Sequence, residues 1–182
     1  MLVAWCTGLR VRIHECGGCH IGDNPRMTTS IFKRPVDIDK INSIHAQSVV
    51  SRLGIEFLEV GADFLCARMP VDARTTQPMG ILHGGSSILL AETLGSVAAI
   101  FASEPGFAAV GLEINANHLR AVTSGWVTGT CTPVHIGRTT QVWAIEIRDE
   151  AQKMVCIARI TMAIVADLRS EAGKTLSSLS EG

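Results

Sequence analysis

Hydrophobic residues recur along the middle of the chain with two different periods. Isoleucines three positions apart over residues 38–45 predict a short helix capped by Asp37. Residues 81–103 are apolar on nearly every side, which predicts one long helix buried inside the domain. Six further segments have strand-like patterns and are separated by turn residues; they are 55–60, 64–71, 110–115, 126–134, 143–147 and 154–165.

These elements predict both the fold class and the domain limits. Short loops between consecutive strands favour antiparallel pairing, and a sheet wrapped around the apolar helix would bury both, which is an α+β fold. We expect this domain to occupy residues 35–166. Residues 1–34 lack either period and are predicted to form a poorly structured arm, and the polar residues 167–182 are predicted to form a mobile tail.

Composition excludes several classes of function. The 182 residues carry 16 Lys and Arg against 17 Asp and Glu, with 4% aromatic residues and no Tyr, so we expect no nucleic-acid partner. No uninterrupted apolar run of about 18 residues occurs, so we expect no membrane span. Six unevenly spaced cysteines favour a reducing, cytoplasmic setting, and the high apolar content suggests burial between subunits.

One acidic residue stands out within the long apolar helix. Glu92 is the single formally charged residue between Arg74 and Glu104. An unpaired carboxylate is costly to bury, so Glu92 must have a partner, be neutralised or lie at an internal cleft, unless that side of the helix faces solvent. Ser96 follows one turn later on the same face and could hold a water or substrate group, or simply pack as a small residue.

The tripeptide His83-Gly84-Gly85 lies where the chain enters this helix. Free N–H groups of a first helical turn can hold an oxygen that carries negative charge, although an ordinary loop-to-helix turn would look the same in sequence. Glu92 follows His83 by nine residues, which is about 13 Å of helical rise, too far for both to act on one small group. The spacing therefore suggests a site shared between two protomers.

Four runs carry a resemblance to a known family. They are 70–74, 77–85 with the sequence QPMGILHGG, 91–96 with AETLGS, and 111–118 with GLEINANH. Through these motifs the chain resembles the hotdog-fold acyl-CoA thioesterases over about residues 30–165. Within that family it is most similar to the branch of bacterial 1,4-dihydroxy-2-naphthoyl-CoA hydrolases and enterobactin-pathway proofreading thioesterases.

The resemblance implies a role for each residue of the catalytic motifs. Glu92 would be the catalytic carboxylate, either as nucleophile or as general base for water. The Gly84 N–H would polarise the thioester carbonyl. Gln77 and His83 would orient the thioester, and Ser96 would position the water or the acyl group.

The resemblance also implies where coenzyme A binds. His118 and Arg120 would contact its phosphates, although an exposed strand end and a solvated charge are the alternatives from sequence alone. Gly85 and Arg138 complete the expected coenzyme A contacts, with an ordinary turn position as the alternative for Arg138 and its neighbour His135. The mechanism needs no metal and no cofactor.

The expected substrate is an aromatic acyl-CoA, and 1,4-dihydroxy-2-naphthoyl-CoA of menaquinone biosynthesis is the first candidate because residues 113–118 follow that branch. Three alternatives stay open: a broad aroyl or medium-chain acyl-CoA thioesterase, a carrier-protein thioesterase, and a non-catalytic acyl-CoA-binding protein. A homodimer is expected, and a homotetramer is plausible.

One motif lies outside the resemblance. Cys16, Cys19 and His20 match the C-x-x-C-H pattern of haem attachment, and His14 lies nearby as a potential zinc ligand. Haem attachment would require export and zinc would require four well-placed ligands, so an inert arm is expected and a redox module is the alternative. Since the family pattern begins close to Met27, residues 1–26 are also hypothesised to be an artefact of start-site choice.

Overall fold

The predicted long helix and six strands are all present in a computed structural model that describes residues 30–167. A single-turn helix, α2, is the one element that the sequence pattern did not predict. The arm and tail predictions, and the cluster of Cys16, Cys19 and His20, fall wholly or largely outside the described residues. The elements in chain order are α1 (Ile38–Ile44), α2 (Val49–Arg52), β1 (Glu56–Val60), β2 (Leu65–Pro70), α3 (Gly84–Ala102), β3 (Phe107–His118), β4 (Trp126–Ile136), β5 (Thr140–Asp149) and β6 (Met154–Ala166).

The six strands form one antiparallel sheet in the order β1-β2-β4-β5-β6-β3, curved around α3. This arrangement confirms the predicted α+β hotdog architecture. The helix lies very close to the sheet at Gly95, where a Cβ would collide with Ile160. At Gly129 of β4, a Cβ would lie 2.7 Å from the Leu94 side chain, so glycine on each side permits the close approach.

Helix α3 is buried on the side that faces the sheet but not on the opposite side. Leu90, Leu94 and Ala98 are fully buried, whereas Glu92 is exposed and Ser96 is half-buried. The prediction of burial all round is therefore wrong for one face of the helix in the single chain. By length and apolar composition α3 could cross a membrane, yet it is the core helix around which the sheet packs.

The chain contacts the domain before the predicted boundary at residue 35. The Ile31 N–H donates to the Ala62 carbonyl at 2.9 Å, and the Lys33 N–H donates to the Phe101 carbonyl at 2.8 Å. The Arg34 guanidinium donates to the carbonyls of Ser103, Glu104 and Phe107. Carbonyls at the end of a helix have no partners within it, so they provide acceptors for this segment.

Candidate active site

The start of α3 leaves one backbone donor free. His83 is the N-cap residue, and its Nδ1 accepts the Gly85 N–H at 2.8 Å, which places the ring proton on Nε2. The N–H groups of Ser86 and Ser87 donate to the His83 carbonyl at 3.0 and 3.3 Å. Among residues 30–167, the Gly84 N–H has no hydrogen-bond partner, so it is the available donor of the first turn.

The loop before α3 is held in a fixed shape that presents Gln77. Thr76 and Leu82 form an isolated antiparallel bridge, and inside it the Gln77 N–H donates to the Ile81 carbonyl at 2.9 Å. The turn closes with the Gly80 N–H donating to the Gln77 carbonyl, and Gly80 has a φ of 76° that glycine adopts readily. These bonds hold the Gln77 backbone in place shortly before the helix start.

His118, the last residue of β3, packs directly against Gly84. A Cβ on Gly84 would lie 2.7 Å from the Nε2 atom of His118. Glycine at a helix start lets a substrate carbonyl approach the backbone without a Cβ in the way. The structure adds a second reason, because the imidazole fills the space that a side chain would take.

A cavity of about 330 Å³ opens at this point of the molecule. Of the predicted site residues it brings together Gln77, Gly84, His118 and Arg120. Apolar side chains form much of the remaining wall. The cavity thus combines a free backbone donor and two basic groups with an apolar lining, which suits a thioester attached to a phosphorylated carrier.

Sequence reasoning missed one polar residue of this cavity. Ser87 is 2% exposed and lines the cavity together with Gly84, which lies one turn before it. The available signal was its position, because residues three apart on a helix share a face. Cys156 lies opposite His118 in the strand register, but burial raises the pKa of its thiol, which disfavours a thiolate nucleophile there.

Glu92 and Ser96 do not line this cavity. The Glu92 Oε1 lies 3.7 Å from the position that a Cβ on Gly111 would occupy, so the carboxylate is beside the middle of β3. Its side chain is exposed and makes no hydrogen bond within the described residues. A single chain therefore keeps Glu92 apart from Gly84, as the helical spacing requires.

Arg138 and Gly85 are also separate from the cavity walls. Arg138 lines a different cavity, of about 360 Å³, near the end of α3 together with Lys33, Glu104 and Gln141. The Gly85 N–H is occupied by His83 and is not free to bind a ligand. Within residues 30–167 no group of three or more His, Cys, Asp or Glu side chains could hold a metal ion.

Comparison with known proteins identifies the family to which these features correspond. The thioesterase superfamily profile matches residues 79–156. The chain is 47% identical to the 1,4-dihydroxy-2-naphthoyl-CoA hydrolase of Escherichia coli K12, and the match covers 74% of this chain and 99% of that protein. It is 46% identical to the proofreading thioesterase EntH of Cronobacter turicensis, over 74% of this chain and 98% of that protein.

A solved structure agrees with these sequence relationships. The crystal structure of a thioesterase from Haemophilus influenzae superposes with a TM-score of 0.74 and has 48% sequence identity. The match covers 75% of this chain and 95% of that chain.

Proposed function

Because this chain belongs to the thioesterase superfamily and is a thioester hydrolase of the hotdog fold, we propose that it cleaves an aromatic acyl-CoA to the free acid and coenzyme A. The observation that carries this proposal is the Gly84 N–H, which has no partner in the described part of the chain and lies at a cavity edged by His118 and Arg120. A thioester carbonyl accepts a hydrogen bond from that N–H and becomes more electrophilic. His118 and Arg120 hold the phosphates of coenzyme A.

The catalytic carboxylate in this proposal is Glu92 of the partner subunit. Strand β3 is an edge strand of twelve residues, and its Val110 and Leu112 side chains are 52% and 63% exposed. Long apolar edges of this kind are normally covered, and an identical edge is a suitable cover. Pairing two β3 strands across a twofold axis also covers the exposed face of α3 near Glu92.

The required register follows from which side chains of β3 face the helix. One row of β3 residues lies opposite buried residues of β6; it consists of His118, Ala116, Ile114 and Gly111. The extra residue Leu112 forms a bulge between Ile114 and Gly111 of this row. Glu92 is beside Gly111 and the free N–H is beside His118, so His118 must pair with Gly111 of the partner subunit. Ala116 then faces Ile114 of the partner subunit, and the twofold axis passes through Asn115.

A cysteine cross-link tests this register. Asn115→Cys is expected to give a disulfide-linked dimer on mild oxidation, because directly opposed residues of antiparallel strands have Cα atoms about 4.5–5.5 Å apart. Asn117→Cys is the matched control. In this register Asn117 of one subunit is offset by four positions from Asn117 of the other, so the two cysteines should not be linked. A cross-linked N117C protein with unlinked N115C would contradict the pairing.

The Gly84 donor can be removed without removing the helix. Gly84 is the first residue of α3, a position that proline favours, and His83 has the extended backbone (φ −72°, ψ 131°) that precedes proline. Gly84→Pro deletes the N–H, whereas Gly84→Ala keeps it and adds a Cβ. We expect kcat of G84P to be about 10²–10³-fold below that of G84A. Equal rates would overturn the role of this N–H.

Mixed dimers test whether the site is shared. Glu92→Ala and Gly84→Pro chains are each expected to be inactive alone. Co-expression gives heterodimers with one intact site, so roughly a quarter of the wild-type activity should return for random pairing. No recovery, with heterodimers present by mass spectrometry, would mean that both groups act within one chain.

The two possible roles of Glu92 differ in the fate of solvent oxygen. As general base, Glu92 activates water that attacks the carbonyl, so the acid of the first turnover carries the solvent oxygen. As nucleophile, it forms an anhydride and expels the coenzyme A thiolate. Water then opens the anhydride at the Glu92 carbonyl carbon, so the first acid leaves with an unlabelled Glu92 oxygen and Glu92 retains the solvent oxygen. A single turnover in H₂¹⁸O, followed by mass spectrometry of the acid and of the Glu92 peptide, distinguishes the roles.

The acyl group is proposed to be aromatic, with 1,4-dihydroxy-2-naphthoyl-CoA of menaquinone biosynthesis as the first candidate. Support comes from the E. coli relative of that name. The similarity to a proofreading thioesterase is nearly as high, so carrier-protein thioesters are the second candidate. The proposal of an aromatic acyl group is tested by comparing kcat/KM for naphthoyl-CoA, benzoyl-CoA, a medium-chain acyl-CoA and an aroyl carrier protein. A preference for the medium-chain acyl-CoA would overturn it.

The proposed location is the cytoplasm. Within residues 30–167, Cys66, Cys131 and Cys156 are free thiols, which suits a reducing compartment. Fractionation of cells that express the natural protein tests this location, and recovery from an oxidising compartment would contradict it.

A further inference from the structure

Ser87 carries a hydroxyl that the domain does not use. The residue is 2% exposed, is the fourth residue of α3, and lines the cavity that contains Gly84 and His118. Its N–H donates to the His83 carbonyl, but its hydroxyl makes no hydrogen bond with any residue of the described part. The adjacent Ser86 differs, because its hydroxyl donates to the Thr75 carbonyl at 3.2 Å.

The Ser87 hydroxyl must reach the cavity wall. Across residues 30–167, every enclosed side-chain nitrogen or oxygen atom has a hydrogen-bond partner. A hydroxyl without a partner is therefore not enclosed, and for Ser87 the cavity is the open space that the residue lines. Helical side chains lean towards the N-terminus of the helix, so the hydroxyl lies over the turn that begins at Gly84.

An alanine at this position would serve the fold better than serine. The Ser87 hydroxyl forms no hydrogen bond within residues 30–167, and alanine would fit the same space with a higher helix propensity. A polar group kept at such a position points to a ligand that supplies the missing hydrogen bond. In the function proposed above, the thioester carbonyl that binds the Gly84 N–H would lie at this turn and offers such an acceptor.

We propose that Ser87 is a further catalytic residue, whose hydroxyl donates a second hydrogen bond to the thioester carbonyl oxygen beside the Gly84 N–H. This inference rests on the function proposed above. As the carbonyl becomes tetrahedral its oxygen gains negative charge, so both donors bind the transition state more strongly than the substrate. Ser87 keeps its proton and forms no covalent bond.

The test is a comparison of Ser87→Ala with Ser86→Ala in steady-state kinetics and thermal unfolding. S87A is expected to lower kcat by about tenfold with KM changed less than about threefold, while its melting temperature stays equal or rises. S86A is expected to lower the melting temperature and leave kcat within about twofold. Ser87→Cys replaces the hydroxyl with a slightly larger thiol that is a weaker donor, so its kcat should fall between wild type and S87A.

Two results would overturn the assignment of Ser87. One is an S87A enzyme with unchanged kcat, and the other is an S87A enzyme that loses stability and raises KM alone, as a packing residue would. Measuring the kcat of G84P and G84A in parallel shows whether only the Ser87 assignment fails or the proposed function fails as well. If G84P is no slower than G84A the function fails, whereas a slow G84P beside an unaffected S87A rejects Ser87 only.

Discussion

The Nε2 atom of His118 occupies the space that a side chain on Gly84 would need, since a Cβ there would lie 2.7 Å away. The start of the core helix and the end of the edge strand are therefore fitted to one another at the cavity. His118 is exposed, so its ring can swing away without disturbing the core. A Cβ on Gly84 is therefore expected to displace the His118 imidazole and to leave the core packing unchanged.

We predict non-additive effects of Gly84→Ala and His118→Ala on coenzyme A binding. G84A pushes the imidazole aside and is expected to raise KM for an acyl-CoA severalfold, and H118A is expected to do the same by deletion. The double variant should be close to H118A alone, because both changes remove the same contact. Additive losses, at unchanged melting temperatures, would mean that His118 and Gly84 act separately.

His83 gives a prediction that separates stability from catalysis. Its Nδ1 accepts the Gly85 N–H at 2.8 Å as the N-cap of α3. His83→Ala should destabilise the protein by about 1 kcal/mol, whereas His83→Asn restores a capping oxygen and should restore most of that loss. Chemical denaturation measures both variants. If H83N recovers stability and not kcat, the Nε2–H of His83 acts on the substrate, and recovery of both would restrict His83 to capping.

How much of the fold and of the candidate site could be predicted from the sequence depends on how far apart in sequence the contacting residues are. Local patterns predicted the Asp37 cap, the long helix and the six strands, because period and capping are properties of short segments. The expected site residues came from the resemblance to the hotdog thioesterases and not from a local pattern. In a single chain, Gln77, Gly84, His118 and Arg120 do lie at one cavity.

The remaining features depend on tertiary contacts that no local pattern records. Arg34 falls in the arm predicted to be loose, yet it binds carbonyls about seventy residues away. Residues 110–115 were predicted as a strand with no irregularity, but a bulge at Leu112 sets which side chains of β3 face the helix. Arg138, predicted to bind coenzyme A with His118, lies at the other end of α3.

Arg34 yields a prediction about stability alone. Its guanidinium donates to the carbonyls of Ser103, Glu104 and Phe107 at 3.2, 2.7 and 2.6 Å, where α3 ends and β3 begins. Arg34→Ala is expected to cost about 1–3 kcal/mol of the free energy of unfolding. Arg34→Lys keeps the charge but not the planar fork, so it should recover less than half of that loss. The kcat of both folded variants should match wild type below the melting transition, and a fully stable R34A would contradict this account.

Cys131 makes the stability of the protein depend on alkaline pH. It lies on β4 between Leu65 and Ile145, it is fully buried, and burial raises the pKa of its thiol well above the ordinary value. The folded state therefore keeps this proton at a pH where the unfolded state loses it. The stabilisation is complete below the ordinary thiol pKa of about 8.5 and declines as pH rises towards the folded value, by up to about 1.4 kcal/mol per pH unit.

Cys131→Ala isolates this contribution. The substitution leaves a small cavity whose cost does not depend on pH, so the variant should be less stable than wild type at pH 7.5 and lose that disadvantage progressively between pH 9 and pH 10. Urea denaturation at several pH values, with equal m-values for the two proteins, measures the difference. Stability curves that stay parallel from pH 7.5 to pH 10 would show that the folded protein releases the Cys131 proton as readily as the unfolded chain does.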